Sequence, residues 1–247
     1  LIKVNKINLF YFILLYCFAL VNVVNAQYPT VREKIINLPN FDEKTLHYGY
    51  FVGVNTYDYK FEYERDYYVV DKYIDLAVES NTGFNVGLIG DLRINKFFNL
   101  RIEPGLIYTQ RNLMYPDLPI FESNNLKREI KSTYIHIPLL IKMSAKRINN
   151  FKPYLTFGFS MDYNLSSNSN STDDNLSNVF RTVSKNINYE LGLGFDFYLY
   201  YFKFSPSIRG IFSTQNELIP DFNENSPWTS NIKKMFTRGF VLNFTFE

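Results

Sequence analysis

Ten charged residues lie on the polar side of segments in which apolar and polar residues alternate. They are five acids and five bases: Asp91, Arg93, Arg101, Glu103, Lys142, Asp162, Glu190, Asp196, Lys203 and Arg209. Because buried charges must be paired, these residues could fill an interior as a structural ion-pair network. They could instead form a proton or ion path, or supply a catalytic acid and base. We favour the structural network over these alternatives.

The sequence offers no pattern typical of a catalytic or metal site. Its two histidines, His47 and His136, lie on different predicted strands, and neither has a second ligand at a metal-site spacing. No serine, histidine and aspartate converge in the pattern of a hydrolase triad. We therefore predict a non-enzymatic protein with no catalytic residue, no metal ligand, no cofactor and no small-molecule substrate.

The elements that must position these charges are eight segments with a period of two, which is typical of β-strands. The fourth contains Thr133–Met143, where isoleucine and leucine alternate with Tyr134 and His136 up to Pro138. The eight predicted strands cover about residues 47–59, 82–94, 100–110, 129–143, 151–163, 186–199, 202–212 and 235–246.

The connections between these strands alternate in length. Long connections are predicted at 60–81, 111–128, 164–185 and 216–234, and short ones at 95–99, 144–150 and 200–201. Outer-membrane barrels have an even number of strands, short periplasmic turns and long outer loops. The sequence thus predicts an all-β fold, an eight-stranded antiparallel transmembrane β-barrel of this kind. Its slightly negative mean hydropathy excludes a bundle of membrane helices but not a barrel.

The two faces of the strands support a membrane barrel over a water-soluble one. The polar face carries glycine, serine, asparagine and threonine, which suit the crowded interior of a small barrel. The apolar face is predicted to contact lipid. Its predicted lipid-facing residues are Ile135, Ile137, Leu139, Ile141, Leu191, Leu193, Phe240, Leu242 and Phe244.

Three prolines, Pro104, Pro138 and Pro206, fall inside predicted strands. Proline has no N–H for the strand ladder, so we expect bulges or locally open hydrogen bonding at these positions. A bulge would reverse the facing of the residues beyond it, such as Leu140 and Lys142.

The first 26 residues resemble a secretory signal peptide. Lys3 and Lys6 precede an apolar run, and the run ends in small residues before Gln27. We predict cleavage near Ala26–Gln27, a periplasmic N-terminal segment at 27–45, a barrel at 46–247 and integral location in the bacterial outer membrane. Cleavage would remove Cys17, the single cysteine, so we expect no disulfide.

The charge balance argues against a nucleic-acid partner. The chain has 26 bases and 24 acids, and loss of Lys3 and Lys6 would leave 24 of each. A protein with no net charge exerts no general attraction on a polyanion. Outer-membrane lipid is the partner that the alternating pattern itself predicts.

Several segments resemble the PorT family of small outer-membrane barrels of the type IX secretion system. The resemblance is carried by Thr82–Leu113, Lys131–Lys142, Tyr201–Gly210, Asn225–Asn231 and Thr237–Glu247, with Pro104, Pro138, Pro206 and Trp228 among the matching residues. Most specific are the segments Phe-Lys-Phe-Ser-Pro-Ser-Ile-Arg-Gly and Asn-Ser-Pro-Trp-Thr.

This resemblance implies a protein needed for cargo secretion and, in gliding relatives, for adhesin delivery. It also implies other type IX secretion components as partners, without identifying them. An eight-stranded barrel with a filled lumen cannot pass a folded protein, which favours an accessory or assembly role. The alternative is a stand-alone barrel that acts as a minor pore, an adhesin or a membrane enzyme.

Overall fold

The computed structural model describes residues 35–63, 76–115, 127–172, 180–223, 226 and 228–247. Residues Ile36–Glu247 form one unit, and the fold described is that of this unit. The predicted signal peptide and parts of the long connections, at 64–75, 116–126 and 173–179, lie outside the described residues.

The described residues form ten strand segments and one short 3-10 helix, Phe41–Glu43. The segments are β1 (Leu46–Tyr63), β2 (Ala77–Ser80), β3 (Thr82–Arg93), β4 (Phe98–Ile102), β5 (Gly105–Met114), β6 (Lys127–Ser144), β7 (Phe151–Asn164), β8 (Lys185–Tyr198), β9 (Lys203–Ser213) and β10 (Ile232–Phe246). In the described part of the chain, no helix is long and apolar enough to cross a membrane.

These segments form a closed antiparallel ring of eight strands. Asn81 alone separates β2 from β3, and Glu103 and Pro104 separate β4 from β5, so each pair supplies one strand of the ring. The ring closes because β1 pairs with β10 on one side and with β3 on the other. The predicted fold class is confirmed. Short turns gather at one end of the ring and long connections at the other.

The three strand prolines are accommodated without bulges. Glu103 N–H donates to the Pro138 carbonyl at 3.4 Å, but Pro138 has no N–H with which to complete the pair. The ladder opens beside Pro104 and resumes in the same register, since Ile102 opposes Leu139 and Gly105 opposes His136. Of the two outcomes expected from the sequence, local opening is therefore the one found here. The inward facing of Lys142 is kept.

The first long connection is shorter than predicted. The sequence pattern ends the first strand near Tyr59, whereas β1 continues to Tyr63 and β2 adds Ala77–Ser80. Outward residues of this extension in β1 are polar, as in Lys60 and Glu62, so the apolar alternation of the strand is lost there. Strand pairing with β10 continues nonetheless as far as Ile232.

Burial along the strands inverts the arrangement of a water-soluble barrel. In β8 every outward residue is exposed and every inward residue is buried, although the outward set is largely apolar. Phe51 is an inward phenylalanine, and it fits because Gly87 and Gly105 leave room for its ring. A Cβ at either glycine would lie 2.6 to 2.8 Å from that ring.

Candidate functional site

The barrel interior contains a set of paired charges, the ionic network, which starts near the short turns at Arg101. The Arg101 Nη2 atom lies 2.6 Å from Asp91 Oδ2 and 2.7 Å from Glu247 Oε1. Its Nη1 atom lies 3.4 Å from Glu103 Oε1. Asp91 and Arg101 are brought together because they are direct partners across β3 and β4. One fully buried guanidinium is thus shared by three carboxylates.

Two lysines extend the network from β6 and β9. Lys142 Nζ donates to both carboxylate oxygens of Asp196, at 2.9 and 2.7 Å, and Ser205 Oγ donates to the same carboxylate at 2.7 Å. Lys203 Nζ lies 2.5 Å from Glu247 Oε2. Glu247 therefore joins Lys203 to the Arg101 group.

Glu103 links these charges to a second group, deeper in the barrel. Arg209 Nη1 donates to Glu103 Oε2 at 2.7 Å, and its Nε atom lies 2.9 Å from Glu190 Oε2. His136 stands between two acids, with Nδ1 2.5 Å from Asp162 Oδ1 and Nε2 3.1 Å from Glu190 Oε1. The contacts of Glu190 are within ion-pair distance but outside good hydrogen-bond geometry. The network is continuous from the short-turn end to the middle of the lumen.

Nine of the ten charges singled out in the sequence take part in this network. Arg93 does not: it is half-buried, and its Nη1 atom donates to the backbone carbonyl of Glu43 at 3.1 Å. The sequence pattern did not assign His136 and Glu247 to the network. Strand parity could have found both, because His136 shares the face of Lys142 and Glu247 continues the face of Thr245.

Above the ionic network, Arg111 is buried among hydroxyl and aromatic groups. It donates to Tyr134 Oη at 2.8 Å and to Thr237 Oγ1 at 3.2 Å, and its guanidinium lies 3.9 Å from the centre of the Tyr59 ring. Glu217, in the connection after β9, accepts a bond from the Thr237 hydroxyl at 2.8 Å. Burial raises the pKa of Glu217 above its ordinary value.

The long-loop end of the lumen is filled by an apolar plug. Its buried members are Tyr59, Leu76, Leu113, Tyr115, Ile130, Phe180, Leu218, Trp228, Ile232 and Met235. Trp228 packs edge-on against Tyr115 with ring centres 4.7 Å apart, and Tyr115 Oη donates to the Trp228 carbonyl at 3.1 Å. The Arg128 guanidinium lies 3.9 Å from the Trp228 ring centre. The plug ties four long connections to the strands.

The short-turn end is covered by the segment that precedes β1. Phe41 stacks on His47 with ring centres 4.5 Å apart, and Tyr198 Oη donates to Asp42 at 2.7 Å. Arg147 donates to the Leu38 carbonyl at 3.1 Å while its guanidinium lies 3.6 Å from the Tyr198 ring centre. The sequence pattern could not show this cover, since the segment has no periodicity.

The outer face of the barrel is an apolar belt. Of the nine predicted lipid-facing residues, eight are between 36% and 62% exposed and Phe244 is half-exposed. Stacked aromatics lie near the short turns, including Tyr50 on Phe246 at 5.2 Å. Beyond the belt, toward the long loops, the outward residues become charged, as in the Arg238–Asp58 pair at 2.6 Å. A belt of this extent is suited to hydrocarbon and not to water.

These contacts define what the interior can do. Its largest buried side chains include two arginines and two tyrosines, Arg101, Arg111, Tyr57 and Tyr198, all less than 2% exposed. They occupy the space that a wider barrel would leave as a channel. Within the described ranges, no group of three or more potential ligands could hold a metal ion. The interior therefore holds the strands together and closes the lumen.

Comparison with solved structures finds small membrane barrels. The outer membrane protein OprG from Pseudomonas aeruginosa is 14% identical to this chain, with a TM-score of 0.42. The alignment covers 81% of this chain and 93% of the OprG chain. Neisserial surface protein A is 11% identical, with a TM-score of 0.38, and the alignment covers 79% of this chain and 95% of that protein. The outer membrane protein AlkL, solved in lipid bilayers, is 11% identical, with a TM-score of 0.41, and the alignment covers 90% of this chain and 96% of AlkL. No statement about function follows from similarities this remote.

Family membership rests on the sequence itself. No curated protein matches the chain significantly. The family described as "Outer membrane protein beta-barrel domain" matches residues 25–217, more than three quarters of the sequence. The chain therefore belongs to the outer membrane protein β-barrel domain family and is an integral outer-membrane protein.

Proposed function

We propose that this protein is a non-enzymatic accessory or assembly factor of the type IX protein secretion system in the outer membrane. The observation that carries the proposal is the closed lumen. In the part of the chain that the structure describes, the ionic network fills one half of the lumen and the apolar plug fills the other, which leaves no passage for a polypeptide. A barrel of this kind supports secretion through the surfaces it offers to other proteins.

The link to type IX secretion comes from the resemblance of its segments to the PorT family. The matching residues lie at constrained positions of the fold. Pro138 opposes Glu103 beside Pro104, at the opening in the ladder, and Trp228 lies in the apolar plug. These residues shape the barrel and its plug, so the resemblance supports a shared architecture as well as a shared role.

The surfaces available to partners lie at the two ends. At the long-loop end, β1, β6 and β10 carry charged outward residues beyond the apolar belt, among them Lys60, Lys131 and Lys234. At the short-turn end, the cover formed around Phe41–Glu43 belongs to the proposed periplasmic segment 27–45. The signal peptide at 1–26 and the barrel at 46–247 complete the proposed division of the chain.

A deletion strain tests the proposal. The gene is removed in frame from its host, and the proteins in the culture fluid and periplasm are quantified by mass spectrometry. We expect type IX cargo to fall in the culture fluid and accumulate in the periplasm, with recovery when the gene is restored. In a gliding host, surface adhesin should fall as well.

The control is the set of other outer-membrane barrels, whose amounts should not change. Unchanged cargo secretion in the deletion strain would refute the secretion role and leave the protein as a stand-alone barrel. A general loss of outer-membrane barrels would also refute it, because the defect would then lie in the membrane and not in the secretion system.

A further inference from the structure

Two cavities meet at the short-turn end of the barrel. An apolar groove of 530 Å³ lies on the wall formed by β6, β7 and β8, and a polar vestibule of 480 Å³ lies at the mouth of the lumen. Phe97, Ser144 and Ala145 line both cavities. Volumes of this size are typical of sites for small ligands. The two cavities therefore adjoin at these three residues and differ in chemistry.

The groove exists because small residues interrupt the aromatic belt near the short turns. Ala145 and Pro153 provide little side-chain bulk, while Phe97, Phe98 and Phe195 flank them. Leucine and methionine side chains complete the lining, which is almost entirely apolar. Since this wall belongs to the apolar belt, the groove opens toward the hydrocarbon of the membrane.

The vestibule has an excess of positive charge. Seven lysines and arginines line it, against three acids, Asp42, Glu43 and Asp196. Some of these bases are already used within the protein, as Lys142 is by Asp196. Lys96 and Lys146 are exposed, and neither is within ion-pair distance of a carboxylate among the described residues. These two lysines are available to an external anion.

The free lysines lie beside the junction of the two cavities. Lys96 precedes Phe97 in the chain, and Lys146 follows Ala145. A ligand that fits this arrangement has a hydrocarbon chain joined through a short linker to a headgroup with net negative charge. A zwitterionic headgroup would bring its own cation toward a basic surface, which opposes binding, whereas a headgroup with net negative charge meets no such repulsion.

We propose that the groove and vestibule together hold one anionic glycerophospholipid from the leaflet that faces the short turns. One acyl chain lies in the groove between Phe98 and Phe195, and the phosphate lies at Lys96 and Lys146. This site is independent of the secretion role, since it depends only on the barrel and its membrane.

Native mass spectrometry of the full-length protein tests the site. The purified protein is equilibrated with an equimolar mixture of phosphatidylglycerol and phosphatidylcholine in detergent, and the retained lipid is identified. We expect one phosphatidylglycerol per protein. Lys96→Gln and Lys146→Gln should each lower its retention about fivefold, the effect of one lysine near a membrane surface. Ala145→Trp fills the groove and should abolish retention.

Lys131→Gln removes an exposed lysine from the opposite end of the barrel and should retain the lipid as the wild type does. Equal retention of phosphatidylcholine would overturn the proposal, as would unchanged retention in the Lys96→Gln/Lys146→Gln variant. Both lysines are exposed, so this variant should fold even if Ala145→Trp does not. If inorganic phosphate displaced the lipid completely at millimolar concentration, the site would be an anion site without a chain-binding groove, and the proposal would be wrong.

Discussion

The two halves of the barrel interior are closed by different interactions. Toward the short turns, the ionic network surrounds Arg101 with three carboxylates. Toward the long loops, the apolar plug packs Leu113 and Met235 at 0% exposure beside Trp228. A charge network fixes geometry strictly, because each buried charge requires its partner, whereas an apolar cluster depends mainly on volume. The ionic network should therefore be destabilised by the loss of any one charge. The apolar plug should tolerate substitutions that conserve volume.

The largest effect is expected from Arg101→Met. This change leaves Asp91, Glu103 and Glu247 without their shared cation, and removal of one partner from a buried ion pair costs about 3–5 kcal/mol. The measurement is urea unfolding of the refolded protein in detergent, followed by fluorescence of Trp228, the single tryptophan. Arg93→Met is the matched control, since Arg93 lies outside the network, and it should shift the midpoint little. Equal shifts for both variants would contradict the account.

A somewhat smaller effect is expected from Leu113→Ala in the apolar plug. Truncation of a fully buried leucine costs about 2–5 kcal/mol, depending on how far the neighbours close the cavity. Leu113→Met, which nearly conserves volume, should cost less than about 1.5 kcal/mol in the same assay. If methionine were as damaging as alanine, the plug would be specified by shape as strictly as the ionic network.

A smaller net change is expected when a whole ion pair is replaced. Lys142→Met and Asp196→Leu should each be strongly destabilising alone, because each leaves the other charge buried without its partner. The double variant should recover most of that loss of stability, since replacement of a buried ion pair by apolar residues often changes stability by no more than about 1 kcal/mol. Additive losses in the double-mutant cycle would show that the two side chains act independently.

The smallest loss of stability is expected from substitution of an exposed charge pair outside the apolar belt. Arg238 and Asp58 form a half-exposed pair at 2.6 Å, and exposed pairs contribute about 0.2–1 kcal/mol. Arg238→Ala should therefore change the unfolding midpoint only slightly, and the change should shrink further in high salt. A loss comparable to that of Arg101→Met would remove the contrast between buried and exposed charge.

Much of this architecture could be predicted from the sequence, because strand alternation reports facing directly. It placed Asp91, Glu190 and Arg209 on the inner face and Ile135 and Leu191 on the outer face. It could not assign partners, because the contact of Arg209 with Glu103 depends on how the ring closes and not on either strand alone.

Other features had no periodic signal. The cover around Phe41 lies in an irregular segment, and the apolar plug draws Phe180, Leu218 and Trp228 from long connections. The sequence pattern predicts a loop at the ends of β1 and β2 that lie near the long connections, because their outward residues lose apolar character above the belt. The strand prolines predict either a bulge or a local opening, and only the register on both sides of Pro104 shows that the ladder opens without a bulge.

The central claim is that both halves of the lumen are closed, and single-channel recording tests it most directly. Purified wild-type protein is inserted into planar lipid bilayers at neutral pH, with insertion verified by protease protection. The account predicts no stable open-channel steps for the wild type, and their appearance in a variant that weakens both closures, Arg101→Ala/Trp228→Ala. Regular conductance steps in the wild type would contradict the account and favour a pore.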